Sequence, residues 1–96
     1  MGGEFMNKAQ LVERIASKTQ VSKTDAEKFL DTTLSIITSA VTKGDDVKLV
    51  GFGTFEKTKR KARTGRNPQT GKEVRIDAAF VPKFRPGKEF KSQVNN

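Results

Sequence analysis

Apolar residues in the first half of the chain recur at helical spacing. In "NKAQLVERIASKTQ", starting at Asn7, Leu11 and Ile15 lie four apart with Val12 and Ala16 beside them. That spacing puts one apolar face on a helix. Asn7 is a suitable N-cap, and Gln10 is placed three residues on to close a capping box. A second, longer helix follows Val21, with Ser22 as its cap and Asp25 three residues later; it runs through Val41, and Gly44 stops it. At ~100° per residue, its Ala26, Phe29, Leu30, Leu34, Ile36, Ile37, Ala40 and Val41 fill an arc of roughly 160°. The usual apolar stripe of a surface helix is ~100° wide. The excess suggests contact with two different partners, the alternative being one deep core within the chain.

The period then changes from helical to two. In "VKLVGFGTFE", 47–56, Val47 and Leu49 alternate with Lys48, while Gly51 and Gly53 flank Phe52 and mark a bulge or a sharp strand-to-strand connection. "VRIDAAFVPKF", 74–84, reads as the matching return strand, with Val74 and Ile76 alternating and Pro82 at its end or at an edge. After Pro86-Gly87, "KEFKSQV" forms a short helix expected to bury Phe90 and Val94 at i, i+4.

Between the strands the chain is almost purely polar: from Glu56 to Glu73 its only hydrophobic side chain is Ala62. A long structureless loop is unusual in a compact domain. The reading that fits the flanking strands is an antiparallel ribbon turning at Asn67-Pro68-Gln69-Thr70-Gly71, where Asn67 before proline favours an extended backbone and Gly71 supplies a positive φ. A two-stranded ribbon alone is marginally stable, so it is expected to move until something binds it.

Charge says what that something is. Residues 57–75 hold Lys57, Lys59, Arg60, Lys61, Arg63, Arg66, Lys72 and Arg75 against one carboxylate, Glu73, a net +7. The 96-residue chain carries +8 in all, so the excess sits on the ribbon. Seven net positive charges on a narrow ribbon repel one another without a polyanion, which argues for phosphate rather than for an ordinary solvated face. Pro68 is the one bulky apolar group at the tip of this cationic arm, the kind of wedge that minor-groove proteins insert between base steps.

Several function classes drop out. The chain has no cysteine and no histidine, which removes disulfides, thiolate or imidazole metal sites and histidine catalysis. "GRNPQTGKE" spaces its glycines wrongly for a phosphate-binding loop and has Glu73 where a magnesium-holding hydroxyl belongs; "GFGTFE" has Glu56 where a third glycine belongs. Asp45-Asp46, the only acidic pair, reads as a turn. An enzyme, a cofactor and a metal are therefore not expected. No apolar run reaches the ~18–20 residues of a membrane span. The first five residues, "MGGEF", precede a second methionine, Met6, and read as a vector-derived leader, leaving 6–96 as one domain.

"GDDVKLVGFGTFE", "RKARTGRNPQTGKE" and "VPKFRPGKEFK", in that order behind a two-helix start "MNKAQLVERIA", make the chain resemble the HU/IHF family of bacterial histone-like DNA-bending proteins, with HU the closer pattern. The resemblance spans Met6 to Val94. It implies an α+β fold: two N-terminal helices, a three-stranded antiparallel sheet with a long β-ribbon arm, and a short C-terminal helix, in an intertwined dimer. The helical dimerisation base would be 7–44, the sheet and DNA-binding arm 47–84, and the last helix 87–94. It further implies that Pro68 intercalates, that Arg60, Arg63, Arg66 and Asn67 contact the minor groove or backbone, and that Lys72 and Arg75 follow on the return strand. Lys8 and Lys88, with Lys91, match lysines near DNA-flanking surfaces, and Phe52, Phe55 and Phe84 match an aromatic core under the sheet.

Dimerisation has an independent argument. Without leader and ribbon, about 70 residues remain to build a core, near the size at which a lone unstapled core is marginal. Shared burial of the broad helix face (Phe29, Leu34, Ile37) and of the phenylalanines would remedy this. The expected function is a cytoplasmic, nucleoid-associated homodimer that binds, bends and compacts double-stranded DNA with little sequence preference, favouring bent, nicked or gapped sites. An IHF-like site-preferring bender and an RNA-binding protein are the alternatives. Phe80, at the base of the arm where the family is often polar, receives no DNA role.

Overall fold

The computed structural model describes residues 4–96. Three of the five expected leader residues, 1–3, lie outside the described residues; Glu4 and Phe5 are exposed. Packing divides the chain after Thr38 into two compact units.

In the first unit, α1 (Lys8–Thr19) carries the full capping box: the Gln10 N–H donates to Asn7 Oδ1 at 2.9 Å and the Asn7 N–H to Gln10 Oε1 at 3.0 Å. At its far end Gln20 takes a left-handed conformation (φ 59°, ψ 41°) and the Val21 N–H donates back to the Ala16 carbonyl. This closes the helix in a Schellman turn and folds Val21 onto a small core of Val12, Ala16 and Ala26, flanked by Ile15 and Leu30.

α2 (Lys23–Lys43) starts as expected, with the Asp25 N–H donating to Ser22 Oγ at 3.0 Å. It runs two residues beyond Val41. The Gly44 and Asp45 N–H groups bond the Val41 and Ala40 carbonyls, each at 2.9 Å, with Gly44 at φ +98°. Burial along its wide apolar arc is graded. Ala26 and Val41 are buried, and Leu30, Ile37 and Ala40 are half-buried; these lie at the centre of the arc. Phe29, Leu34 and Ile36, at its two edges, remain 56%, 50% and 63% exposed. This chain covers the middle of the stripe and leaves both margins in water.

The second unit contains β1 (Val47–Leu49), β2 (Gly53–Arg60) and β5 (Ala79–Pro86) as an antiparallel sheet in the order β1-β2-β5, and β3 (Arg63–Arg66) paired with β4 (Glu73–Ile76) as a separate two-stranded ribbon. Phe52, Phe55, Phe84 and Phe90 cluster on one side of the sheet, with centroid separations from 4.8 Å (Phe55–Phe84) to 6.5 Å (Phe52–Phe55). Phe90 comes from α3 (Lys88–Val94) and stacks on Phe52 at 5.1 Å and 14°. Val94, expected to be buried beside it, is 72% exposed and lines an open groove with Phe84, Pro86 and Phe90.

The return strand 74–84 is not continuous. It breaks at Asp77-Ala78, and the outgoing strand breaks at Lys61-Ala62 on the same level. The pairing frame is the same on both sides: Arg60 faces Ala79 before the break and Arg63 faces Ile76 after it, so no residue is gained or lost. Alanine, lysine and aspartate are all poor strand formers, and here they coincide on both strands.

Candidate nucleic-acid interface

The ribbon tip is held by its own backbone. The Asn67 N–H donates to the Lys72 carbonyl at 2.8 Å, and the Gly71 N–H to the Asn67 carbonyl at 2.7 Å, with Gly71 at φ +72°. Asn67 Oδ1 accepts from the Gln69 N–H at 2.9 Å, an Asx turn, and Arg66 Nη1 lies 3.4 Å from the Gly71 carbonyl. Pro68 is exposed at the apex of this closed loop. The Asn67 amide oxygen is thus used in shaping the tip, while its NH2 group has no partner among the described residues.

Side chains alternate faces along a strand, and the register assigns them. Arg60 and Arg66 pair with Ala79 and Glu73, whereas Arg63 pairs with Ile76. In β2–β5, Lys57 and Lys59 share a face with Phe80, Pro82 and Phe84; Glu56 and Arg60 take the other. The Lys57/Lys59 face carries no carboxylate, while Glu56, only 19% exposed, is bonded to Arg85 Nη2 at 3.1 Å on its opposite side. Among the described residues, Lys59, Arg60, Lys61, Arg63, Arg66 and Lys72 have no carboxylate partner, and all six are exposed. Arg75 differs, with its Nε 3.7 Å from Asp77 Oδ1. Lys57 also has no carboxylate partner among the described residues, but its ammonium donates to the Thr42 carbonyl at 3.1 Å.

Lys8 is also engaged. Its Nζ lies 2.8 Å from Asp31 Oδ1 and 3.7 Å from Glu27 Oε2. The hydrogen bond and charge of Asp31, assisted by Glu27, hold its pKa above the ordinary lysine value. The i, i+4 spacing of the two acids, which places both on one edge of α2, was the signal available in the sequence. Lys88 and Lys91 are exposed on α3, and neither forms an ion pair among the described residues. Phe80 is 63% exposed, with the Lys57 and Lys59 ammonium groups 4.6 and 5.9 Å from its ring centroid.

Comparison with known proteins agrees with this geometry. The family model described as "Bacterial DNA-binding protein" matches residues 6–95. DNA-binding protein HU-beta of Salmonella typhimurium is 56% identical over 90 residues, covering 94% of this chain and all of that protein. DNA-binding protein HU-alpha of Escherichia coli is 55% identical over 89 residues, 93% of this chain and 99% of that one. Among solved structures, an Anabaena HU–DNA cocrystal matches with a TM-score of 0.88 at 48% identity, covering 93% of this chain and 97% of that chain. HU from Thermotoga maritima matches with a TM-score of 0.67 at 38% identity, covering 93% and 98%.

Proposed function

The chain belongs to the HU family of bacterial DNA-binding proteins, and from that premise we propose that it acts as a homodimer which grips double-stranded DNA between two ribbon arms, enters the minor groove and bends the duplex with Pro68. Membership makes it a structural DNA-binding protein rather than an enzyme. The observation that carries the finer reading is the ribbon itself: seven exposed cations without a carboxylate partner among the described residues, of which Lys57 alone bonds a helix carbonyl, ending in an exposed proline on a hydrogen-bonded tip.

In this reading Lys59, Arg60, Lys61, Arg63, Arg66 and Lys72 neutralise phosphates, and binding falls steeply with salt as their counterions return. Lys8, Lys88 and Lys91 meet the flanks of a bent duplex. Arg75 contributes less because Asp77 shares its charge. Pro68 separates a base step, at a cost of a few kcal/mol that the added contacts of a bent duplex offset. Nicked, gapped or pre-bent DNA binds better because part of that deformation is already made. None of these contacts reads base edges, so sequence preference is low, and the protein compacts the nucleoid in the cytoplasm.

The dimer rests on burial. Only Val12, Ala16, Ala26 and Val41 are buried hydrophobics among the described residues. The margins of α2, the 44%-exposed Phe52 and an open apolar groove lined by Phe84, Pro86, Phe90 and Val94 are left uncovered. A second copy covering these surfaces supplies the missing core.

The test is Pro68→Ala on intact and nicked duplexes. Bending of intact DNA should fall more than affinity does, and the deficit should shrink on nicked DNA. Equal bending by the two proteins would remove the wedge.

A further inference from the structure

We propose that Phe80 and Lys57 are positioning residues that brace the root of the ribbon against the C-terminal end of α2 and thereby set the angle at which the arm leaves the sheet; this rests on the reading of the arm as a DNA-bending device. The cluster sits where such a brace is needed. Phe80 faces Lys59 across the β2–β5 ladder, one residue pair short of the Lys61-Ala62/Asp77-Ala78 break. Beyond that break, no sheet hydrogen bonding ties the β3–β4 ribbon to the sheet.

Lys57 connects the two sides. Its ammonium lies 4.6 Å from the Phe80 ring centroid and donates to the Thr42 carbonyl at 3.1 Å. Thr42 is in the last turn of α2, where carbonyls lack helical partners and the helix dipole is negative. The cation therefore meets an acceptor at a helix end and the negative face of an aromatic ring together. Lys59, 5.9 Å from the same centroid, adds a second cation.

Phe80 is 63% exposed, and its ring meets the Lys57 and Lys59 ammonium groups while standing apart from the packed rings of Phe52, Phe55, Phe84 and Phe90. Its contribution is to steady a flexible lysine whose ammonium lies over the ring while bonding Thr42. A lysine held in this way is not free to neutralise phosphate. This separates Lys57 from the cations further along the arm.

The experiment uses Phe80→Leu, which keeps an apolar side chain and loses the ring; Phe80→Tyr, which keeps the ring; and Lys57→Met, which keeps the stem and loses the charge. Spin labels at Ser39 and Thr64, in protein diluted with unlabelled chain so that only intrachain pairs are read, report the arm-root distance without DNA. End-labelled duplexes report bending at saturation, and a salt titration reports phosphate contacts.

Loss of the ring is expected to shift the braced-to-unbraced ratio about two- to fivefold, the range for an exposed cation–π contact. Phe80→Leu and Lys57→Met then broaden the distance distribution and lower the FRET at saturation, Phe80→Tyr matches the unsubstituted protein, and the salt slope is unchanged in all three. A Phe80→Leu distribution identical to that of the unsubstituted protein would overturn the brace. So would a smaller salt slope for Lys57→Met, which would put Lys57 on phosphate. If the unsubstituted protein bends no duplex, the bending function fails, while the distances in the free protein still decide the brace.

Discussion

Gly53→Ala tests the packing that carries the whole arm. Gly53 is buried at the start of β2, paired with Leu49 on one side and Pro86 on the other. A Cβ there would lie 2.5 Å from Phe84 Cε1 and Cζ and 2.7 Å from the Arg85 carbonyl oxygen. The ring cannot simply swing away, because Phe52, Phe55 and Phe90 hold it at centroid distances of 5.2, 4.8 and 6.2 Å. The carbonyl belongs to the β5 backbone, so relief there means moving one strand off the other. Overpacking of this kind costs about 1–3 kcal/mol, and the backbone overlap places Gly53→Ala near the top, at about 2–3 kcal/mol. For a domain of this size that lowers Tm by about 10–20 °C.

Thermal unfolding followed by circular dichroism, at fixed protomer concentration because a dimer's Tm depends on it, gives the value. Gly44→Ala is the comparison: its Cβ meets nothing within 4 Å, so only the φ of +98° penalises it, at about 1 kcal/mol. Phe84→Leu should cost less in the Gly53→Ala background than alone, since the ring overlap is then relieved, giving a coupling of about 1 kcal/mol. A Gly53→Ala protein as stable as Gly44→Ala, or strict additivity with Phe84→Leu, would refute the reasoning.

Three further outcomes are expected. Arg63→Ala, which removes one exposed cation from each arm of the proposed dimer, should reduce the slope of log K against log salt by about 1.8, so its affinity deficit narrows about tenfold between ~50 and ~200 mM salt; an unchanged slope counts against a phosphate contact. Asp31→Asn should release Lys8 and raise affinity for long duplexes a few-fold while leaving short ones unaffected. The Lys8 pKa is raised by its partners, so the pair is intact below the ordinary lysine value of 10.5 and is lost as pH rises through the higher folded value; the Asp31→Asn gain should therefore be flat across neutral pH. Gln20→Gly, at φ 59°, should stabilise by about 0.5–1 kcal/mol, the left-handed penalty of an L residue less the added chain entropy of glycine, read as a rise in Tm.

Features set by neighbours in the chain were legible in the sequence. The Asn7/Gln10 box, the Ser22 cap, the Gly44 stop and the Asn67–Gly71 tip each need only a few consecutive residues, and each formed as read. The width of the α2 stripe was legible too, and within this chain its margins stay exposed. The break in the ribbon was missed because polar–apolar alternation continues through "VRIDA", across the break itself, and fails only at Ala78-Ala79-Phe80; the clearer signal was the coincidence of poor strand formers on two strands, visible only once the register is known. The Lys57–Thr42 bond spans fifteen residues and depends on where α2 ends relative to β2, which no local pattern encodes.

The most direct test of the central claim is end-to-end FRET on two equal-length duplexes of unrelated sequence, titrated with protein at low and moderate salt. The account predicts similar binding and a rise in FRET on both, each weakening as salt is added. Binding without any change in FRET would contradict the bending arm, and a response confined to one sequence would contradict recognition through backbone and deformability alone.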